Sequence, residues 1–323
     1  MEKQSADIEI IRHYDDIQRF AEEAAEECIA EHEEHKQEIM ALLYMIFEIL
    51  GNGKIAENFQ SDRKLQELLA KLQAVCEEAG KEMLLYLDRI SGDLVENENH
   101  FLLLAAAFLM ISGKKVTAET LENIARYGRY RGWTRKELIR KIAAGEADRI
   151  FQVISNGLED GKKISSLRQD VLREMKKTQR NIRTQVNTIV NGIVNDVNMA
   201  FAAKNNMQLR YSAVLDKSTC EECNDLNGNI YNSNDPAIPS LPRHYNCRCV
   251  LEVLFSSPSE NQANYQDFFD TMTEKEKLTR LGNAQYAEYK NGSLKTDHFL
   301  PVAKSAKLSL AQVRQRDEKA FRS

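Results

Sequence analysis

Proline is absent from the first 235 residues of this chain of 323 residues, and all five prolines follow. Because proline interrupts helix interiors, its absence favours long helices. The longest apolar run, residues 101–111, is much shorter than the roughly 20 residues that span a bilayer. The start of the chain is polar and acidic, unlike a secretory leader. We therefore expect no membrane span and a reducing cytoplasm, where clustered cysteines favour metal binding over disulfides.

Charge is distributed unevenly along the chain, although the net charge is only −5. Residues 15–38 contain ten acidic residues and two basic ones, whereas residues 126–183 contain sixteen basic and seven acidic residues. Such a basic segment suits DNA or an acidic partner, and Arg129, Arg131, Arg135, Lys136 and Arg140 surround Tyr130 and Trp133 within it. The simpler explanation is the solvated face of amphipathic helices with packed aromatics between them.

Apolar periodicity predicts a mainly helical first part. Residues 14–50, 62–79, 81–94 and 101–111 have helical spacing, and Gly51-Asn52-Gly53 and Gly113 are stop signals. Ser/Thr-x-x-Glu/Gln capping boxes at Thr134, Ser166 and Thr273 predict three further helix starts. The helix from Ser166 is expected to reach about residue 203. It has one apolar stripe for packing, and Arg180, Arg183 and several asparagines occupy the other face.

Strand patterns begin at residue 209. Residues 209–215 alternate between apolar and polar side chains, and residues 248–255 form a second candidate strand. Asn227-Gly228 predicts a turn between them, and residues 305–322 predict a short amphipathic helix at the end. The expected fold is α+β, mainly α: a long helical N-terminal part, a small β lobe and a short helical tail.

Five candidate metal ligands are concentrated in thirty residues, in the pattern Cys-x2-Cys-x20-His-x2-Cys-x-Cys. They are Cys220, Cys223, His244, Cys247 and Cys249. Thiolate and imidazole groups at two-residue spacing can close on one tetrahedral ion. Antiparallel pairing of the two strands would bring both halves of the pattern together. On a strand, Cys247 and Cys249 would point to opposite faces, which makes Cys249 the weaker candidate.

A closed set of protein ligands is typical of a structural zinc site, and structural Zn²⁺ is our prediction for the cluster. A disulfide formed in an oxidising medium and reduced structural thiols remain alternatives. The His-x-Glu and Pro-Cys-x-x-Cys pattern of zinc deaminases is not met, because Thr219 precedes Cys220. A nucleophilic Cys247–His244 pair is disfavoured by four cysteines at ligand spacing. Cys28 and Cys76 are expected to be core residues.

The cluster and its flanks resemble the Mu F-like head morphogenesis family of tailed phages and prophages. The family pattern is Asp-x-x-Thr-Cys-x-x-Cys-x-x-Leu-x-Gly, followed by Pro-x-His-x-Asn-Cys-Arg-Cys. The matching positions are Asp216, Thr219, Cys220, Cys223, Leu226, Gly228, Pro242, His244, Asn246, Cys247, Arg248 and Cys249. Arg183-Thr184 also resembles the family, and Gln185 departs from its usual acid. The resemblance extends over roughly residues 120–310, and residues 1–115 lie outside it.

The resemblance implies a minor head (capsid) protein that acts in head morphogenesis and is not an enzyme. Its expected partners are the portal protein and procapsid components, with DNA as a further contact, and not a membrane. It would be found in the cytoplasm of the bacterial host during assembly and in the virion head. The alternative is a zinc-dependent enzyme or nuclease-like toxin delivered with the phage, which needs an open coordination position and a general base.

Along the chain, these expectations divide the sequence into four segments. Residues 1–115 form a helical N-terminal region of unknown role. Residues 116–205 form the helical part of the head morphogenesis module, and residues 206–258 form the Cys/His-clustered β lobe. Residues 259–323 form a C-terminal helical extension.

Overall fold

Long helices and a few short strands make up the computed structural model, which describes residues 3–51, 62–213, 220–255, 265–293 and 307–322. The helices are α1 (Lys3–Glu34), α2 (Lys36–Gly51), α3 (Arg63–Phe108), α4 (Ala118–Tyr127), α5 (Arg135–Glu159), α6 (Ile164–Asn205), α7 (Glu221–Leu226), α8 (Tyr265–Asp270), α9 (Glu274–Lys290) and α10 (Leu310–Arg322). The strands are β1 (Arg129–Tyr130), β2 (Trp133–Thr134), β3 (Gln208–Ser212), β4 (Ile230–Asn232) and β5 (Val250–Leu254). The predicted fold class, mainly α with a small β lobe, is confirmed. Within these ranges no helix has the length and apolarity needed to cross a bilayer.

Two compact units are assembled from segments that lie far apart in the sequence. The first unit comprises Met1–Ala24, Ile90–Gly132 and Asn187–Ser323. The second comprises Ala25–Arg89 and Trp133–Val186. Three of the four boundaries between the units fall inside α1, α3 and α6, and the fourth falls between β1 and β2.

Several helix limits follow the sequence signals, and others do not. The capping boxes at Thr134 and Thr273 are present, with side-chain and backbone hydrogen bonds in both directions. The helix start predicted at Ser166 is wrong, because α6 already begins at Ile164. The segment 14–50, predicted without a break, is divided into α1 and α2 at His35. Asn52 and Gly53 of the expected stop lie outside the described residues, as do residues 305 and 306 of the predicted C-terminal helix.

The three helices predicted between residues 62 and 111 form one helix, α3, of 46 residues. Gly80, the residue between the first two predicted segments, lies inside it. A Cβ atom at this position would lie 2.9 Å from the Cβ atom of Ala143 on α5. The glycine therefore permits close packing of α3 and α5 in the second unit, and this tertiary contact outweighs its weak helix propensity.

The sheet of the β lobe belongs to the first unit and has the strand order β4-β3-β5. Strands β3 and β5 pair antiparallel, with Tyr211 opposite Leu251, which confirms the predicted pairing. β4 was not predicted; it pairs antiparallel with β3 on the other side. The end of the first predicted strand, residues 214 and 215, lies outside the described residues.

A buried group of charged residues holds α10 in the first unit. His13 on α1 contacts the carboxylates of Glu98, at 2.8 Å, and Asp317, at 2.9 Å. Its ring stacks on Phe101, with 3.5 Å between ring centroids. Burial alone would lower the pKa of His13, but the two carboxylates raise it to about 10. A charged imidazolium at neutral pH thus joins α1, α3 and α10.

Helices α9 and α10 are also attached to α1 by ion pairs. The two terminal guanidinium nitrogens of Arg280 on α9, Nη1 and Nη2, donate to the carboxylate of Asp15 at 2.5 and 2.6 Å. They form a buried bidentate pair. Arg316 on α10 binds Asp16 at 2.7 Å. The acidic residues at the start of the predicted acidic segment are therefore partners of basic residues from the tail rather than a solvated face.

A small residue on α6 makes room for a large aromatic ring in the first unit. Tyr130 is almost completely buried, and a Cβ atom at Gly192 would lie 2.1 Å from its ring. The ring therefore lies directly against the α6 backbone, where no larger residue fits. The simpler interpretation of this aromatic, a packed side chain, is confirmed.

Candidate metal centre

Two tight turns hold four of the five candidate ligands in the first unit, and Cys249 follows the second turn. Cys220 is the N-cap of the short helix α7, and Cys223 lies in its first turn. The N–H of Cys247 donates to the carbonyl of His244 at 3.1 Å, which closes a second turn. Asn246 in this turn has a φ of 60°, a conformation that asparagine tolerates better than most residues. Each turn thus brings two donors three residues apart to one side.

The structure brings all five residues together around Cys223. The ligand atoms of Cys220, Cys223 and His244 lie within 4.8 Å of one another, and so do those of Cys223, Cys247 and Cys249. Across the two turns, Cys223 Sγ lies 3.5 Å from His244 Nε2. Cys223, Cys247 and Cys249 are buried, whereas Cys220 and His244 are partly exposed. All six cysteines of the chain are free thiols in the structure.

The argument that made Cys249 the weaker candidate is wrong. It assumed that Cys247 and Cys249 lie on a strand, but β5 begins only at Val250. The two cysteines precede the strand, so the alternation of side chains does not apply to them. Both thiols consequently reach Cys223, and Cys249 is as well placed as Cys247.

The pKa values of two buried thiols in the cluster are shifted in opposite directions. Burial raises the pKa of the Cys223 thiol to about 12, and a hydrogen bond from Cys249 lowers the pKa of the Cys247 thiol to about 5. The hydroxyl of Tyr211 on β3 donates to Cys223 Sγ at 3.3 Å. A metal ion at the centre would favour the thiolate forms of these buried groups. Soft sulfur donors with one imidazole are the ligand set that zinc prefers.

The turn around His244 is attached to its surroundings on both sides. Arg243 forms an ion pair with Glu222 on α7, next to Cys223. The carbonyl of Arg243 accepts a hydrogen bond from Arg131. His244 Nδ1 lies 3.0 Å from the carbonyl of Tyr245, so a neutral ring that donates there keeps Nε2 free as a ligand atom. These contacts orient the imidazole before any metal binds.

A row of asparagines on α6 covers the outer edge of β5, beside the cluster. Asn195 Nδ2 donates to the carbonyl of Cys249 at 3.2 Å, and its Oδ1 accepts from the N–H of Leu251 at 2.6 Å. Asn198 Nδ2 donates to the carbonyl of Leu251 at 3.1 Å. The edge of the sheet that lacks a neighbouring strand thus finds its partners in side chains.

The row continues to the turn of the cluster. Asn246 N–H donates to the hydroxyl of Thr188 on α6 at 2.8 Å, and Asn187 donates to the side chain of Asn246 at 3.1 Å. Residues at positions 187, 191, 195 and 198 are all buried. Our prediction of a single apolar packing stripe was therefore too narrow, because the asparagine face of α6 packs as well. Its polar character reflects strand-edge hydrogen bonding rather than exposure.

The basic residues singled out in the sequence have different surroundings. In the first unit, Tyr130 is buried, and Arg131 donates to Arg243. In the second unit, Arg135 is buried and paired with Asp88 at 2.7 Å. Trp133 is 41% exposed, with the Lys141 ammonium 4.9 Å from its ring centroid. Lys136 and Arg140 are exposed on α5. Part of the predicted basic cluster is thus committed to packing.

Comparison with known families gives one result. Residues 148–252 match the family model described as Phage Mu protein F like protein. The match confirms the resemblance carried by the Cys/His motif, and it contains all of α6 and all five candidate ligands. The segments before residue 148 and after residue 252 lie outside it. Asp216 and Thr219 of the motif lie outside the described residues. No curated protein and no solved structure matches the chain.

The cluster generates a direct test of metal content. Reduced, purified protein should contain about one zinc per chain, because the two groups of three donors share Cys223 and together supply the ligands of one four-coordinate ion. Cys223→Ser should lose the zinc and lower the melting temperature, since Cys223 belongs to both groups of donors. Elemental mass spectrometry and thermal unfolding measure the two effects.

Cys76→Ser is the matched control, because Cys76 is also buried but lies in the core of the second unit. It should retain the zinc. Metal-free wild-type protein with freely titrating thiols would contradict the proposed site, and so would equal zinc in wild type and Cys223→Ser.

The asparagine contacts predict a specific loss of stability. Asn195→Ala should lower the free energy of unfolding by about 1–3 kcal/mol, because it leaves the Leu251 N–H and the Cys249 carbonyl without these partners. Asn181→Ala on the exposed face of the same helix should change it by less than about 0.5 kcal/mol. Urea unfolding of both variants makes the comparison, and equal effects would show that the strand-edge contacts contribute nothing.

Proposed function

We propose that this protein is a minor head protein of a tailed phage or prophage that acts in head morphogenesis. The observation that carries the proposal is the family match over residues 148–252, which includes the Cys/His motif and the helix that supports it. The family resemblance suggests assembly in the host cytoplasm, association with the portal and residence in the virion head.

We further propose that the Cys/His cluster is a structural zinc centre and not a catalytic one. The sheet has only three short strands, and such a small lobe has little core of its own. An ion held by the two turns would cross-link α7 to the segment before β5. Two groups of three protein donors that share Cys223 offer enough ligands for a closed shell, and this favours a structural site over the open position that an enzyme needs. The alternative of a zinc-dependent enzyme has no comparable support.

The proposal predicts incorporation into heads. In the phage or prophage that encodes it, the tagged chain should sediment with procapsids and be recovered with the portal protein. Cys223→Ser should reduce this recovery by destabilising the β lobe, whereas Leu85→Ser, at an exposed position of the second unit, should not. Quantitative immunoblotting of purified heads measures both. Heads that assemble normally without the protein, together with no binding to the portal, would refute the proposed function.

DNA is proposed as a further contact, through exposed basic residues of the second unit. Lys136 and Arg140 lie on α5, one turn apart, and Lys176 and Arg180 have the same spacing on α6. All four side chains are exposed. Two neighbouring basic residues are already paired with acidic residues: Arg173 with Asp170 and Lys177 with Glu174. The four residues are therefore those best suited to bind phosphates.

A charge-matched comparison tests this contact. Replacing Lys176 and Arg180 with alanine should weaken binding to duplex DNA, and the slope of log affinity against log salt should fall by about 2, roughly one per lost phosphate contact. Lys64→Ala with Lys71→Ala removes the same charge from exposed positions of α3 and should leave the slope almost unchanged. Equal losses in the two double variants would indicate a general charge effect and would exclude a defined DNA surface.

A further inference from the structure

Tyr211 on β3 is connected by its backbone to both halves of the candidate metal centre. Its N–H donates to the carbonyl of Asn229, and its own carbonyl accepts from the N–H of Gly228, both at 2.8 Å. These two residues follow α7, the helix of the first cysteine pair. On the other side, Tyr211 pairs with Leu251 of β5, just after Cys249. The strand therefore fixes Tyr211 relative to both groups of donors.

The hydroxyl of Tyr211 has sulfur atoms as partners. It donates to Cys223 Sγ at 3.3 Å, and the side chain of Cys249 also contacts it. Since Tyr211 is completely buried, bulk water cannot take the place of these sulfurs. Cys223 is the donor that the two groups of three share, so the hydroxyl contacts the sulfur on which both groups depend.

Such a partner suits a sulfur that is bound to a metal ion. A free thiol is a weak hydrogen-bond acceptor, and a buried tyrosine hydroxyl normally finds a better one. A metal-bound cysteine sulfur carries negative charge, and hydrogen bonds to charged acceptors are roughly twice as strong as those between neutral groups. The contact between Tyr211 and Cys223 therefore becomes strong once an ion is bound.

Packing alone does not require a hydroxyl at this position. Leu209 shares the buried face of β3 with Tyr211 and fills its place with an apolar side chain. The hydroxyl of Tyr14 on α1 is also buried in the first unit, but it accepts from Asn198 Nδ2 at 3.1 Å, a contact between nitrogen and oxygen. The two tyrosines thus differ in the kind of partner that the hydroxyl has.

We propose that Tyr211 is a positioning residue of the zinc centre. Its hydroxyl holds Cys223 Sγ in place and stabilises the negative charge that this sulfur carries when the ion is bound. Tyr211 acts through Cys223 and does not ligate the ion. The inference rests on the zinc centre proposed above and extends it to a residue outside the Cys/His motif. Loss of such a partner typically lowers metal affinity by about 10- to 100-fold.

Zinc affinity of the full chain, measured by competition with a chromophoric chelator, tests the proposal. Tyr211→Phe keeps the ring and removes only the hydroxyl, and it should weaken zinc binding by about tenfold. Tyr14→Phe is the matched control, because it also removes a buried hydroxyl from the first unit. It should lower the melting temperature of the metal-free protein and leave zinc affinity unchanged. Circular dichroism checks that each variant is folded.

Cobalt substitution supplies a readout that a purely structural role would not change. Co²⁺ in place of zinc gives an absorption in which charge moves from sulfur to metal. A hydrogen bond to the sulfur lowers the energy of its lone pairs, so Tyr211→Phe should shift this absorption to longer wavelength. Tyr14→Phe should leave it at the wild-type position. The spectrum is recorded at metal saturation, so it does not depend on affinity.

Zinc affinity and a cobalt spectrum that are both unchanged in Tyr211→Phe would overturn the proposal. An equal loss of affinity in Tyr14→Phe would also overturn it, because the effect would then be one of general destabilisation. Wild-type protein that binds neither zinc nor cobalt would refute the zinc centre itself, and this inference with it. A loss of affinity confined to Tyr211→Phe, together with the shifted absorption, would establish Tyr211 as part of the centre.

Discussion

The hydrogen bonds between the α6 asparagines and the outer edge of β5 are the interaction on which the candidate metal centre depends. A three-stranded sheet with two edges cannot satisfy its own backbone groups. Here Asn195 and Asn198 occupy the place of a fourth strand along β5, and Thr188 binds the turn that carries His244 and Cys247. The helix thus supports the sheet and positions half of the cluster.

Regular secondary structure supports the cluster itself only weakly, because its donors lie in turns or at the ends of short elements. Cys223 belongs to a helix of only six residues, Cys220 is the N-cap of that helix, and Cys249 directly precedes a strand. Few hydrogen bonds stabilise turns of this kind, and a metal ion would connect them through coordination bonds. The α6 contacts fix one side of the lobe, and a zinc ion would fix the other.

Much of the architecture was predictable where the signal is local. Capping boxes at Thr134 and Thr273 and the alternation at β3 depend on neighbouring residues, and the structure confirms them. The predictions failed where a distant contact decides. Gly80 separates two predicted segments until the approach of Ala143 is known, and the α6 asparagines suggest a polar face until β5 is placed against them. The early acidic residues Asp15 and Asp16 likewise have partners more than 260 positions away.

The sequence by itself determined the mainly helical class, the five candidate ligands and the resemblance to Mu F-like proteins, because spacing and residue type are enough for each. Only the tertiary structure decided that Cys249 joins the cluster, that Tyr130 and Arg135 are buried, and that the Tyr211 hydroxyl reaches Cys223. Each of these depends on which surfaces meet in the folded chain. Periodicity shows that a helix has an apolar side, but burial is a property of what packs against that side.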